Sequence, residues 1–89
     1  MNISDIKLGK LYHFPEHDID MHQLPVPEYY WVSDGVIKIK ASQPFVVLEK
    51  VRIRIYQKHY RVKVLNTHGD VGWLIIGRFS LKLIKPATP

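Results

Sequence analysis

Arg52 and Arg54 in Val51-Arg52-Ile53-Arg54, and Arg61 and Lys63 in Tyr60-Arg61-Val62-Lys63-Val64, fall at every second residue. In an extended chain that spacing sets successive bases on one face. If Gln57-Lys58 joins the two segments as a two-residue turn, Arg54 faces Arg61 and Arg52 faces Lys63. Lys38 and Lys40 repeat the pattern and would extend the same face. Like charges directly opposite one another repel in an antiparallel pair. A ladder of this kind therefore suits an anionic backbone, and each phosphate it neutralises releases counterions. The plainer reading is a solvated outer face whose repulsion salt screens beyond ~8 Å. An Asn-Gly or Asp-Gly pair, the usual mark of a tight hairpin, is missing at 57–58, which leaves the register open.

The aromatic residues offer a second chemistry. Tyr12, Tyr29, Tyr30, Trp31 and Trp73 carry ring faces suited to a peptide or to base stacking. Three consecutive aromatics cannot all point inward in an extended chain, so at least one of Tyr29, Tyr30 and Trp31 is expected at the surface or beneath a loop. Trp73 is assigned to the core. The surface aromatics, with Asp18 and Asp20 nearby to select a basic partner, form the leading candidate site.

A third cluster, His13-Phe14-Pro15-Glu16-His17-Asp18-Ile19-Asp20-Met21-His22, contains legitimate metal ligands. No known ligand spacing is matched, and Pro15 opposes the helix that would align His13 with His17. A solvated loop is the expectation, with no metal and no cofactor. Ser33, Ser42 and Ser80 lack a nucleophile-elbow context. No glycine-rich phosphate loop is present. The chain is not expected to be an enzyme.

These residues need elements to position them. The 89-residue chain is expected to be one domain, with a core over residues 8–84 and a flexible tail at 85–89. It has no cysteine, which excludes disulfides, thiolate zinc sites and cysteine nucleophiles. No apolar run reaches the ~20 residues of a membrane helix and no signal-peptide core is evident, so a cytoplasmic protein without membrane association is expected. Residues 1–34 carry a net charge of −4 and residues 35–89 one of +9. The two halves either face each other, within a molecule or between copies, or the basic half meets an anionic partner.

The central unit is Tyr60 to Ile76, read as strand, turn, strand. Asn66-Thr67-His68-Gly69-Asp70 supplies the turn, with Gly69 able to take positive φ. Further strands are expected at Leu8–Phe14, Val36–Ala41, Phe45–Tyr56 and Phe79–Ile84. Tyr29–Val32 is β-prone. Ile3 and Ile6 form at most one turn, with Ser4 as N-cap. Glu16–Glu28 reads as a long loop, a length that is often functional. Five to six short antiparallel strands of this kind, punctuated by Gly and Pro, indicate an all-β barrel.

The order of features resembles an SH3-like barrel, in particular the bacterial SH3-type domains. Gly69-Asp70-Val71-Gly72-Trp73-Leu74 is similar to that family's turn and strand of the form "dGktGWV". Pro44-Phe45-Val46-Val47-Leu48 resembles its "vtVL" strand, and Leu11-Tyr12-His13-Phe14 its first aromatic strand. The acidic Glu16–Glu28 segment resembles its long first loop, and the resemblance runs from Leu8 to Ile84. Tyr60 stands where the family usually has a tryptophan, and Leu74–Phe79 lacks the proline used to hold polyproline peptides. The leading expectation is a non-enzymatic protein-interaction module or small accessory subunit. A nucleic-acid binder using Lys38, Lys40, Arg52, Arg54, Arg61 and Lys63 is the alternative. A self-assembling structural protein, acidic front to basic back, is the second alternative.

Overall fold

The computed structural model describes residues 1–23, 36–53 and 59–87. Among these residues, seven antiparallel strands form one sheet curled into a half-barrel, so the chain is all-β as expected. The strands are β1 (Leu11–His13), β2 (Ile19–His22), β3 (Val36–Ile39), β4 (Phe45–Ile53), β5 (His59–Leu65), β6 (Val71–Ile76) and β7 (Lys85–Pro86), and their order in the sheet is β3-β2-β6-β5-β4-β1-β7. A short helix, α1 (Arg78–Leu83), joins β6 to β7. A 3-10 turn at Ile3–Asp5 precedes β1.

The β5–β6 hairpin forms where alternation and turn chemistry agree. The Asn66 side-chain oxygen accepts from the N–H groups of His68 at 3.0 Å and Asp70 at 2.8 Å. Gly69 completes the turn at φ +84°, a conformation in which a Cβ would be strained. The turn pairs Leu65 with Val71, which sets Val62 opposite Leu74 and Lys63 opposite Trp73. Val62, Val64, Leu74 and Ile76 then point inward, at 0–1% exposure. Phe45, Val47, Tyr12, Phe14, Ile39 and Ile84 complete the core with Met21 and Ile6.

Strand β4 departs from expectation for an identifiable reason. Val47 pairs with Val64 but Glu49 pairs with Lys63, so Leu48 is an extra residue, a β-bulge. One inserted residue exchanges the faces of everything beyond it. Lys50 and Arg52 come opposite Val62 and Tyr60, while Val51 comes opposite Arg61. The expected opposition of Arg52 and Lys63 is thereby overturned, since Lys63 faces Glu49 and Arg52 faces Tyr60. Lys50 resolves its position by extending its stem and donating to the carbonyls of Ile3 at 3.3 Å and Ile6 at 2.7 Å. The register also overturns the two-residue turn at Gln57-Lys58. Ile53 pairs with His59, so five residues intervene.

Other expectations need correction. The segment read as a loop contains strand β2, tied to β3 from Ile19↔Ile39 to His22↔Val36. Phe79–Leu83 is helical rather than extended. Lys85–Pro86, expected in the tail, forms strand β7: it pairs with His13 and Tyr12, and the Ala87 N–H donates to the Leu11 carbonyl at 3.0 Å. The 3-10 turn is capped from Asn2 rather than Ser4, with the Asn2 N–H donating to Asp5 Oδ2 at 2.8 Å. The β-prone Tyr29–Val32 lies outside the described residues.

Candidate functional site on the outer sheet face

Exposure alternates along β6: Gly72, Leu74 and Ile76 are buried, whereas Trp73 and Ile75 are half-buried and Val71 is exposed. Trp73 therefore lies on the outer face of the sheet and not in the core, contrary to the sequence expectation. The turn decides this. Five residues between Leu65 and Val71 put Lys63 and Trp73 on one face, and the need to bury Leu74 and Ile76 fixes which face is outer.

The Arg61 guanidinium carbon and the Lys63 ammonium nitrogen each stand 5.8 Å from the Trp73 ring centroid. Cations at that distance are attracted by the ring's negative face. Lys63 is placed directly opposite Trp73, and Arg61 reaches it diagonally from its own partner, Ile75. On the other side of Trp73 the register brings His22 and then Val36. The His22 Nδ1 is buried and has no hydrogen-bond partner among the described residues. Gly72 makes this approach of β2 feasible, since a Cβ there would sit 2.5 Å from Met21 Cγ and 2.8 Å from the His22 carbonyl oxygen.

The expected basic ladder is largely taken apart. Lys38 lies 3.2 Å from Asp20 and Lys40 lies 3.7 Å from Asp18. Two acids expected to select a foreign partner thus neutralise two bases expected to bind an anion. The Ala41 N–H, donating to Asp18 Oδ1 at 2.8 Å, is the main cause holding the Asp18 carboxyl below its ordinary value, with Lys40 and Lys38 adding to the effect. Arg52 sits opposite Tyr60, on the face away from Arg61. Of the expected ladder, the structure gathers Arg61 and Lys63 over one aromatic ring. Arg54, Tyr29, Tyr30 and Trp31 lie outside the described residues.

Tyr12 is not a contact residue on the surface. It is 4% exposed, its hydroxyl accepts from the Lys7 N–H at 2.7 Å and donates to the Asp5 carbonyl at 3.1 Å. Its role is to fasten the N-terminal segment to the sheet. Among the described residues, no three His, Asp or Glu side chains converge as metal ligands. No helix among them is long and apolar enough to cross a membrane. The arrangement offers a half-buried indole with two fixed cations, bordered by Val71 and Val36, at 43% and 37% exposure. It can stack against a planar group, pack against an apolar one and pair with a carboxylate or phosphate. No family model matches the chain, and no curated protein or solved structure gives a significant match to it.

Proposed function

We propose that the chain is a non-enzymatic binding module of SH3-like design that engages another protein through the outer sheet face centred on Trp73. The observation that carries the reading is the Trp73 indole held beneath Arg61 and Lys63. Tryptophan and arginine are the residue types that most often dominate protein–protein interfaces, set at the centre of a patch with a polar rim. Here the centre is bordered by exposed valines, and the ion-paired Asp20 and Lys38 supply a rim of mixed sign. The SH3-like assignment is supported by the curled antiparallel half-barrel and by the Gly69–Leu74 turn and strand.

Single-stranded nucleic acid is the second reading, favoured by the same indole with two cations, which is how stacking platforms are built. The pairing of Lys38 and Lys40 with Asp20 and Asp18 weighs against it, because it removes two of the charges a phosphate track would use. Fluorescence anisotropy with labelled single- and double-stranded nucleic acid separates the readings. The protein reading predicts no saturable binding at physiological salt. Micromolar binding that weakens steeply as salt rises, and is lost in Arg61→Glu, would install the nucleic-acid reading in its place.

A further inference from the structure

Helix α1 presents a second surface, built from residues that the Trp73 face does not use. Phe79 is 80% exposed, far more than any other large apolar side chain among the described residues, and Leu83, one turn on, is 38% exposed. The i, i+4 spacing places both on one side of the helix. Lys82 stands 5.7 Å over the Phe79 ring. Arg78, Lys82 and Lys85 are exposed and form no ion pair among the described residues. No acid follows Asp70 in the chain, so these three bases have no local counter-charge in sequence. Hollows open on both sides of the helix. One, of about 580 Å³, is walled by Ile3, Tyr60 and Leu81 with Arg78 and Lys82 at its rim. The other, of about 320 Å³, lies among Pro15, Leu83, Lys82 and Lys85, with Glu16 as its sole acid among the described residues.

An aromatic this exposed gains little for folding, and two exposed apolar side chains on one helix face, set among cations, suit an interaction surface. We infer that the α1 face docks an acidic segment of another protein in which aliphatic side chains alternate with carboxylates. The aliphatic groups cover Phe79 and Leu83 and enter the flanking hollows, and the carboxylates meet Arg78, Lys82 and Lys85. Charge complementarity decides the occupant. In a second copy, Asp18 and Asp20 are paired with Lys40 and Lys38 and Asp5 accepts from the Asn2 N–H, and the other described acids, Glu16, Glu49 and Asp70, stand far apart from one another in sequence. A nucleic acid would leave Leu83 and the apolar walls of the larger hollow uncovered.

The test is an NMR titration of the full chain, labelled with nitrogen-15, using a synthetic peptide of repeating Glu-Glu-Leu-Leu as the probe. The inference predicts saturable shifts confined to Arg78–Lys85 and the walls of the hollows. Affinity falls by about tenfold or more in Phe79→Ala and in Lys82→Glu, as expected when a central contact is removed. Because both side chains are exposed, the variants keep the fold, which their spectra verify directly. Trp73→Ala leaves this binding unchanged, so the outcome is independent of the reading of the sheet face. Four results would overturn the inference. They are the absence of a saturable shift at physiological salt, equal affinity for polyglutamate, equal affinity for single-stranded nucleic acid, and peptide-independent shifts at Phe79 that grow with protein concentration.

Discussion

Trp73 and Leu74 are adjacent large hydrophobic residues, yet their positions give them different work. Leu74 is fully buried among Val62, Ile76 and Met21, so Leu74→Ala leaves a cavity and is expected to cost about 2–5 kcal/mol. Trp73→Ala removes the larger side chain from a half-buried site whose principal contacts are two cations, each worth roughly 0.5–1 kcal/mol at an exposed site. It is expected to cost less than Leu74→Ala despite the greater volume removed. Urea denaturation of both variants checks the order, and the reverse order would return Trp73 to the core. Asp18 supplies a second test among single residues. Its carboxyl titrates below the ordinary value of 3.8, chiefly through the Ala41 N–H. A carboxyl depressed in the folded state binds protons more readily when unfolded, so its stabilising effect is present above the unfolded pKa. That effect is lost as pH falls through the folded one. Carbon-13 NMR should give an Asp18 midpoint under 3.8. The advantage of the wild type over Asp18→Asn should shrink as pH falls through that midpoint.

Elements, more than residues, explain what the sequence conceals. The β5–β6 hairpin is legible because two signals agree, the alternation of Tyr60, Val62 and Val64 and the turn chemistry of Asn66 and Gly69. Trp73 was legible in principle from the same hairpin, since counting back from the turn sets it against Lys63. Strand β4 was legible as a strand, but the facing of its second half was not, because nothing in Val47-Leu48-Glu49 announces a bulge, and one extra residue reverses every face beyond it. Strand β2 was hidden for another reason. Ile19-Asp20-Met21-His22 has one fully buried residue, and its pairing with β3 spans residues distant in sequence. Phe79–Leu83 has strand-like composition, but the chain there leaves the sheet and closes a helical turn, with the Leu81 N–H donating to the Gly77 carbonyl at 3.0 Å. The docking of β2 on β6 depends on Gly72. Gly72→Ala would force Met21 and the His22 backbone outward and is expected to cost about 1–3 kcal/mol, the usual range for overpacking. Thermal unfolding measures the cost, and hydrogen exchange should show added loss of protection at β2 and β3. A neutral substitution would mean that β2 does not approach β6 this closely.

Across the whole molecule, the opposed charges of the two halves are partly satisfied within one chain. Asp18 and Asp20 from the acidic half pair with Lys40 and Lys38 from the basic half. Among the described residues, Arg78, Lys82 and Lys85 of α1 and β7 form no ion pair, while the sheet face around Trp73 is of mixed sign. Such a division suits a module that meets protein surfaces better than one that tracks a phosphate backbone. The sequence disclosed the residue types for both surfaces but not their grouping, which depends on the turn at Asn66–Asp70 and the bulge at Leu48. The central claim is that the face around Trp73 meets a protein partner. Site-specific photo-crosslinking from position 71 tests it directly, since Val71 is exposed beside Trp73 on that face. With a photoreactive residue at 71 in cells that make the protein, the account predicts a discrete protein adduct that disappears when Arg61→Glu is added. A nucleic-acid adduct, an adduct indifferent to Arg61→Glu, or the absence of any adduct would contradict it.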